Sequence, residues 1–501
     1  MLLEMAADGM PDRTAIGSRP GGLTYSELSE QARRVAGLVA GSGAGRVAFV
    51  ARNSPLLPAL LFGSGLAGVP FVPVNYRLAD EQLRRVLSRT APALAVVDDD
   101  AVGRVAGVDG LTVMGTGGLS ARLEAAVPTG AGSVDPEAIA VLLYTSGTTG
   151  EPKAAVLRHR HLASYVLSAV EFMGAADDHA ALVSVPPYHV AGVVTILSSL
   201  YSGRRIVYLP QFDPEQWVDA VRDEAITHAF VVPTMLGRIL DVVEARDEKL
   251  QSLLHLAYGG GRMPTPVLER ALRLLPAVGF VNAYGLTETA STIAMLRPED
   301  HRAAFESRHP AVRARLGSAG RPLPAVEVEI RDENGRPLPA GERGEIYVRG
   351  EQVAGEYLPP GGTPGPPGRR TALGADGWFP THDGGWLDDA GFLFVEGRLD
   401  DVIVRGAENL SPGEIEDALL THPAVRDAGV VGVPDEEWGE TVAAAVVLEP
   451  GADATVEELQ QWVRARLRSS RTPTVIEFRD ELPYNETGKL LRRILRSELC
   501  R

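Results

Sequence analysis

One ten-residue stretch has side chains suited to holding phosphate. Residues 144–153 read Tyr-Thr-Ser-Gly-Thr-Thr-Gly-Glu-Pro-Lys. Gly147 and Gly150 let the backbone turn its N–H groups inward. Hydroxyl donors are added by Thr145, Ser146, Thr148 and Thr149. Lys153 adds a mobile positive charge. The spacing Gly-x-x-Gly-x-x-Lys differs from the loop of the P-loop NTPases, which excludes that assignment, while a hydroxyl-rich surface turn is the structural alternative.

A second cluster of side chains that could bind a ligand lies at residues 282–289, Asn-Ala-Tyr-Gly-Leu-Thr-Glu-Thr. A tyrosine beside a glycine offers a face for stacking a base, a threonine hydroxyl can reach a phosphate, and a carboxylate can ligate Mg²⁺. A capped helix start, with Thr287 or Glu288 satisfying free N–H groups, is the alternative. The run 259–261, Gly-Gly-Gly, indicates either close backbone approach to a flat ligand or a tight turn.

Apolar runs that read as buried strands precede each of these clusters. Further strand-like runs alternate with helical patterns along the first 260 residues, and the predicted strands are 46–51, 69–74, 93–97, 138–143, 181–185, 205–209, 228–232 and 254–258. Helices are expected over 56–68 and from residue 159 onward. This alternation favours a largely parallel sheet covered by helices, with the functional loops at strand ends.

Composition places the chain among ordinary globular proteins. With 501 residues, 45% hydrophobic and 23% charged, it can form two or more domains with a large core. A net charge of -16 argues against nucleic acid or an anionic membrane as the partner. The single cysteine, Cys500, leaves no internal disulfide, and we find neither a secretory signal nor a membrane span. A soluble cytoplasmic enzyme is therefore expected.

Several further motifs follow in order along the chain. They are Gly341-Glu342-Arg343-Gly344-Glu345, Asp383, Gly397-Arg398-Leu399-Asp400-Asp401 and Pro483-Tyr484-Asn485-Glu486-Thr487-Gly488-Lys489. Together with the two clusters above, they make the chain resemble the adenylate-forming family of acyl-CoA synthetases, coumarate-CoA ligases, luciferases and nonribosomal-peptide adenylation domains. The resemblance covers nearly the whole length.

The resemblance implies an α/β fold in two domains. Residues 1–398 would form a large N-terminal domain of layered, mostly parallel sheets with helices and a small β subdomain, which binds AMP and the acyl group. Residues 399–501 would form a small mobile α+β C-terminal domain, with its hinge at Asp400.

The resemblance also implies the site residues. Those that would bind ATP are Thr145, Ser146, Gly147, Thr148, Thr149, Gly150, Lys153, Gly259, Gly260, Gly261, Asn282, Ala283, Tyr284, Gly285, Thr287, Asp383 and Arg398. Those that would act in catalysis are Lys489, Lys153, Glu288, Thr287 and His189, and Glu288 would ligate Mg²⁺. Those that would line the acyl pocket are His189, Ala191, Gly192, Val232, Tyr258 and Gly259.

The implied reaction has two steps and uses ATP, Mg²⁺ and CoA. A small-molecule carboxylic acid attacks the α-phosphorus of ATP, pyrophosphate leaves, and a thiol then cleaves the acyl-AMP. Lys489 would bridge the acid and the phosphate in the first step. Rotation at Asp400 would then withdraw Lys489 and bring Gly406, which lines the pantetheine tunnel in relatives, to the intermediate.

The sequence departs from the family pattern at three positions. Ala154 and His382 stand where glycine is usual, and Arg262 stands where proline is frequent. Tyr188-His189 replaces the aspartate motif of amino-acid-activating relatives, so a neutral aryl or alkyl acid is favoured. Three hypotheses remain open: a CoA ligase, an acyl-AMP ligase that loads a separate carrier protein, and a nucleotide-binding protein without catalysis. Monomer and homo-oligomer are both compatible with the sequence.

Overall fold

A computed structural model of the chain describes residues 1–129, 134–145, 153–358, 372–406, 408–485 and 488–500. Its first layer is a six-stranded sheet built from short apolar strands. In order across the sheet these are Leu111–Gly115, Ala93–Val97, Val47–Val50, Phe71–Pro73, Ile139–Thr145 and Lys153–Arg158. Only the last pair is antiparallel. The parallel winding that the sequence predicts is confirmed here.

A nine-stranded sheet forms the second layer. Its strands, in order, are Arg321–Pro322, Ser291–Leu296, Gly279–Leu286, His255–Gly259, His228–Val231, Ala180–Val183, Arg205–Tyr208, Thr14–Ile16 and Leu23–Thr24. The strands from Gly279–Leu286 to Thr14–Ile16 run parallel. Since the carboxyl ends of parallel strands share one edge, the residues that follow 183, 231, 259 and 286 are brought to the same edge.

Helices cover both faces of these sheets. In chain order α1 to α12 are Leu2–Gly9, Tyr25–Ser42, Leu56–Leu66, Asp80–Thr90, Thr116–Ala125, His159–Ala169, Val190–Ser202, Pro214–Asp223, Pro233–Arg246, Thr265–Leu274, Pro298–Glu306 and Pro310–Ala314. Helix α2 shows why they form: Thr24 accepts a hydrogen bond from the N–H of Glu27, whose carboxylate accepts one from the N–H of Thr24. Its buried face contains Leu28, Ala32 and Val35, at helical spacing.

A four-stranded antiparallel sheet follows the large sheets. Its strands are Glu327–Arg331, Gly344–Arg349, Phe379–Leu387 and Leu393–Arg398. The register of the last two strands sets Asp383 directly opposite Arg398. This small β subdomain therefore pairs two residues that the sequence assigned to one site.

The C-terminal part has its own sheet and its own core. The strands are Glu408–Leu410, Ile403–Arg405, Gly439–Leu448 and Val425–Asp435, with Val475–Phe478 parallel to Gly439–Leu448. Helices α13 to α15 are Pro412–Leu420, Val456–Arg464 and Arg492–Leu499. Ile403, Leu419 and Val446 are among its fully buried side chains. The predicted fold class, a large layered α/β part followed by a small α+β part, is confirmed.

Among the described residues, no helix combines the length and apolarity needed to cross a bilayer.

Candidate active site

Two parts of the chain that are far apart in sequence enclose one cavity of about 320 Å³. The large N-terminal part supplies the strand ends and the β subdomain, and the C-terminal part supplies helix α13 and the segment before α15. The predicted site residues that line it are Gly260, Gly261, Asn282, Ala283, Tyr284, Gly285, Asp383, Arg398 and Lys489. The structure therefore gathers residues from five separate segments at one place.

A hydrogen-bonded triad anchors one wall of this cavity. The Tyr284 hydroxyl donates to Asp383 Oδ2 at 2.6 Å, and Arg398 Nε lies 3.2 Å from Asp383 Oδ1. Arg398 also donates to the carbonyl oxygen of Thr381 at 2.7 Å. Burial raises the pKa of Asp383 above its ordinary value, and Arg398 and Tyr284 oppose that shift. The result is a fixed carboxylate and a planar donor side by side, which suits a pair of vicinal hydroxyls.

His382 adopts a backbone conformation that explains why glycine is usual there. Its φ is 58°, in the left-handed region, and its imidazole Nδ1 lies 3.1 Å from Glu345 Oε1. The next residue, Asp383, donates its N–H to the Thr381 hydroxyl at 3.1 Å. Asp383 is thus held in place despite the departure from the family pattern.

Lys489 borders the cavity and is hydrogen-bonded to Asn485. The Lys489 N–H donates to Asn485 Oδ1 at 2.8 Å, and the Asn485 N–H donates to the Lys489 carbonyl at 2.9 Å. Burial lowers the pKa of the Lys489 ammonium and Arg398 lowers it further, while the carboxylates of Asp401 and Asp383 oppose the shift. The Lys489 ammonium therefore borders the cavity, where it interacts electrostatically with both Asp383 and Arg398.

Glu288 is held by backbone and side chain together. It lies in a single 3₁₀ turn, Thr287–Thr289, and its carbonyl accepts hydrogen bonds from Ala354 N at 2.8 Å and Gly355 N at 3.1 Å. The Tyr357 hydroxyl donates to Glu288 Oε1 at 2.5 Å. A phenol on one oxygen leaves the other available to a ligand, and a carboxylate that is completed by substrate phosphates is a usual Mg²⁺ arrangement. Glu288 therefore fits the metal role.

Tyr357 was not predicted from the sequence. It joins Glu288 to the phosphate-loop strand, because Lys153 Nζ lies 5.8 Å from its ring centroid and Tyr357 forms a bridge with Ala155. In the neighbouring pair, Arg158 and Glu356 lie 2.9 Å apart with side chains 7% and 16% exposed, and this pair fixes the segment against the strand. A lone tyrosine before a Pro/Gly-rich run carries no spacing signal that could have identified it.

The flanks of the predicted phosphate loop form an antiparallel pair. Thr145 lies opposite Lys153, and the Thr145 hydroxyl donates to the Lys153 carbonyl at 3.4 Å. Five of the predicted loop residues lie outside the described residues: Ser146, Gly147, Thr148, Thr149 and Gly150. The strand Lys153–Arg158 itself was not predicted, since the sequence indicated a direct passage to the helix that begins at His159.

Two glycines of the site are required by the packing of neighbouring strands. A Cβ on Gly259 would lie 2.3 Å from the Ala283 carbonyl oxygen, and one on Gly285 would lie 1.8 Å from that of Ser291. These positions exclude any side chain regardless of a ligand. Gly260 follows with φ +78° and borders the cavity. Both interpretations of the glycine run, a close approach of the backbone and a turn, therefore have a structural basis.

The predicted acyl-pocket residues lie along the shared strand edge. His189 precedes helix α7, and its ring lies 4.8 Å from that of Tyr188. Burial lowers the pKa of His189 to about 4, so the imidazole is neutral at pH 7. Val232 lies beside Gly260, with its Cγ1 3.6 Å from the position of an added Cβ. Ala191 packs against the core of the nine-stranded layer.

The two other predicted pocket residues have packing roles. A Cβ on Gly192 would lie 3.2 Å from the Pro186 carbonyl, so glycine lets helix α7 begin against the preceding turn. Tyr258 is fully buried and its hydroxyl lies 2.8 Å from His301 Nε2. Tyr258 therefore supports this region from within the core.

The predicted hinge and tunnel residues lie at the junction of the two parts. Asp400 is in the single 3₁₀ turn Leu399–Asp401, immediately after the β subdomain. Gly406 has φ +60°, and its N–H donates to the Trp438 carbonyl at 2.7 Å. An added Cβ would lie 3.2 Å from the Trp438 ring. The left-handed conformation and the close approach of the Trp438 ring both favour glycine at 406.

Comparison with known proteins gives this arrangement a family. The family profile described as AMP-binding enzyme matches residues 3–358, and that described as AMP-binding enzyme C-terminal domain matches residues 414–489. The chain belongs to the AMP-binding enzyme family. The predicted resemblance is thereby confirmed.

Similar proteins include enzymes with different acceptors. Feruloyl-CoA synthase of Amycolatopsis sp is 33% identical over 488 residues, covering 96% of this chain and 95% of that protein. Fatty acid--[acyl-carrier-protein] ligase ScoC of Streptomyces coeruleorubidus is 33% identical over 490 residues, covering 95% and 91%. These are likenesses over almost the whole of each chain, and the two relatives are named for different acceptors, CoA and an acyl-carrier protein.

Among solved structures, o-succinylbenzoate CoA synthetase (MenE) from Bacillus subtilis superimposes over almost the whole chain. Its complex with the acyl-adenylate intermediate gives a TM-score of 0.84 at 28% identity, covering 99% of this chain and 97% of that one. Its complex with ATP and magnesium ion gives 0.83 at 27% identity, covering 98% of each. The fold and the domain order of this chain match a nucleotide-bound enzyme.

Proposed function

We propose that the protein is an AMP-forming acid–thiol ligase, which activates a carboxylic acid with ATP and transfers the acyl group to CoA. The observation that carries this proposal is the position of Lys489, which enters the cavity beside Asp383 and Arg398 from the other part of the chain. A lysine in a Gly-containing turn would otherwise be an ordinary surface cation.

The nucleotide would occupy the cavity along the strand ends. Asn282, Ala283 and Tyr284 would border the adenine, with Gly259 to Gly261 on the adjoining strand end. Asp383 and Arg398 would bind the ribose hydroxyls, since an acceptor and a donor lie side by side there. Thr287 would contact the α-phosphate, and residues 145–150 with Lys153 would hold the β- and γ-phosphates. Glu288 would hold Mg²⁺, which neutralises phosphate charge when bound.

Lys489 would lower the barrier of the first step. A carboxylate oxygen attacks the α-phosphorus and pyrophosphate leaves, so two anions must approach. Unit charges ~4 Å apart at an effective dielectric near 20 repel by roughly 4 kcal/mol. An ammonium placed between them offsets this repulsion most strongly when the bond is forming, which is the requirement for catalysis.

The second step would use a different face of the C-terminal domain. After rotation at Asp400, Lys489 would leave and the Gly406 loop would line the path of the thiol. The thiolate attacks the acyl carbon, the bond from that carbon to the AMP oxygen breaks, and AMP leaves. The domain limits proposed are 1–398 and 399–501.

The acid is proposed to be a neutral aryl or alkyl acid. His189 is uncharged at neutral pH, and Ala191, Gly192, Val232 and Gly259 are small or apolar, with Tyr258 packed behind them. Nothing in Tyr188-His189 would pair with an α-ammonium group. The feruloyl-CoA synthase relative, whose named acyl group is aromatic, supports this choice.

A ligase that loads a separate carrier protein is the second candidate, because a relative of equal identity is named for that activity. The test is pyrophosphate release from ATP across aryl, short, medium, long-chain and dicarboxylic acids, each with and without CoA. We expect one acid class to give release that CoA drives through many turnovers. Release that stops near one equivalent with CoA and continues with a carrier protein would support the second candidate. ATP binding without release for any acid would refute both.

A further inference from the structure

Arg262 connects the two parts of the molecule. It directly follows the glycine run, and its Nη2 lies 2.5 Å from Asp417 Oδ2 on helix α13 of the C-terminal part. Helix α13 also packs against the guanidinium, since a Cβ on Gly413 would lie 1.9 Å from Arg262 Nη1. The side chains of Arg262 and Asp417 are 41% and 27% exposed. The pair therefore lies partly shielded within the interface.

We propose that Arg262 is a positioning residue for the adenylation step, because its pairing with Asp417 holds the C-terminal part in the orientation that places Lys489 in the cavity. The proposal rests on the proposed function, in which Lys489 acts in the first step only. Proline, which is frequent at this position in the family, could not form such a pair.

The contact reaches Lys489 through a continuous set of interactions. Glu416, next to Asp417 on α13, forms a bidentate pair with Arg492, one arm of which joins Nη2 and Oε2 at 2.9 Å. Arg492 is the first residue of helix α15 and follows Lys489 by three positions. It also donates to the Val430 carbonyl at 2.7 Å. Helix α13 and the segment that carries Lys489 are thus fixed to each other, so holding one holds the other.

Two further contacts join the parts in the same orientation. A Cβ on Gly488 would lie 2.1 Å from the hydroxyl oxygen of Thr234, in the first turn of helix α9. The Ser411 hydroxyl donates to the Glu396 carbonyl at 3.0 Å. Neither contact carries a charge pair, so Arg262–Asp417 is the interaction among these three whose loss would leave an unpaired ion.

The charges around Asp417 determine what the loss of Arg262 would cost. Burial raises the pKa of Asp417 to about 6, with Arg262 opposing the shift and Glu416 and Glu414 adding to it. Without Arg262 this pKa would rise further, and at a pH above it Asp417 would be a partly shielded carboxylate beside two other carboxylates. Breaking such a pair from one side costs far more than removing both charges, because the remaining ion has no partner. Opening of the interface would relieve that cost by exposing Asp417.

The experiment compares Arg262→Met, Asp417→Asn and a double variant in which the two charges are exchanged, Arg262→Asp with Asp417→Arg. Arg262→Met should slow acyl-AMP formation roughly tenfold while thioester formation from supplied acyl-AMP is unchanged. The charge-exchanged double variant should recover part of the lost rate, because it restores an ion pair between the two parts. The matched control is Arg270→Met, which removes an arginine that also pairs with two carboxylates, Asp241 and Glu244, but within the N-terminal part. It should leave both steps unchanged.

A second readout measures the orientation without any reaction. Nitroxides are attached at Lys249→Cys and Glu457→Cys in a Cys500→Ser chain, and the distance between them is measured by electron spin resonance. Arg262→Met should broaden this distance distribution away from that of the parent chain, and the double variant should restore it. An unchanged distribution, equal losses in both steps, or a double variant as slow as Arg262→Met would each overturn the proposal. Because this readout needs no acid, a parent chain that adenylates nothing would refute the proposed function while the distances still decide the role of Arg262.

Discussion

Replacing Tyr357 by phenylalanine tests whether Glu288 is a metal ligand held by its neighbours. The change removes one hydrogen bond, from the phenol to Glu288 Oε1 at 2.5 Å, and keeps the ring near Lys153. A hydrogen bond to a charged group contributes about 1.5–3 kcal/mol. The two backbone donors to the Glu288 carbonyl remain, so the 3₁₀ turn stays in place while the carboxylate loses its fixed orientation.

The expected result is a specific change in Mg²⁺ dependence. Removal of a residue that orients a metal ligand weakens metal affinity by about 10–100-fold, and we expect the Mg²⁺ concentration for half-maximal pyrophosphate release to rise by that factor. The assay titrates Mg²⁺ at saturating ATP and acid, and calorimetry of Mg²⁺–ATP binding follows the same affinity without turnover. KM for the acid should be unchanged, since Tyr357 is not among the pocket residues.

Tyr208→Phe is the matched control. Within the part of the chain that the structure describes, the buried Tyr208 hydroxyl has no hydrogen-bond partner, so its loss should alter neither Mg²⁺ dependence nor activity. If Tyr357→Phe keeps the parent's Mg²⁺ curve and instead lowers the rate at every Mg²⁺ concentration, Tyr357 does not orient a metal ligand and the assignment of Glu288 is wrong.

Three other predictions address the two steps. Lys489→Ala should lower the rate of adenylation by about 10²–10³-fold and leave thioester formation from supplied acyl-AMP unchanged. Equal losses of rate in separate single-turnover assays of the two steps would contradict domain alternation. Because burial lowers the pKa of Lys489, kcat/KM for adenylation should be constant below that lowered pKa and fall as pH rises through it, and Lys489→Arg should move the fall beyond pH ~12 in a pH–rate profile. Gly406→Leu should keep pyrophosphate release by the adenylation step and block thioester formation from supplied acyl-AMP, since Gly406 has φ +60° and would line the thiol path; survival of both steps would remove that role.

Much of the architecture follows from local sequence pattern. The strand Ala93–Val97 has the predicted limits, because it is an uninterrupted apolar run between turn residues and is buried on both faces. The strand Lys153–Arg158 was missed for a related reason. Its apolar centre, residues 154–157, is short and adjoins the helix at His159, so periodicity alone cannot separate it from a helical start. Pairing with Ile139–Thr145, a tertiary contact, decides the outcome.

The site likewise contains residues that sequence motifs identify and contacts that only the structure shows. Tyr284, Asp383, Arg398 and Lys489 were identified because each lies in a recognisable motif, and the structure brings them to one cavity. The bonds Tyr357–Glu288 and Arg262–Asp417 join residues 69 and 155 positions apart, and neither pair has a local signature. Such contacts depend on how whole layers pack, which spacing along the chain does not encode. The left-handed backbone conformation of His382 likewise could not be predicted from its residue type.

The central claim is that a carboxylate oxygen attacks the α-phosphorus of ATP, and oxygen labelling tests it most directly. The acid most active in the pyrophosphate panel is prepared with ¹⁸O in both carboxyl positions and turned over with ATP and CoA, and the nucleotide product is analysed by mass spectrometry. We predict AMP that carries one ¹⁸O per molecule, with unlabelled pyrophosphate, because the acyl-to-oxygen bond of the acyl-AMP breaks in the second step. Unlabelled AMP, or ADP with the label in inorganic phosphate, would contradict the account.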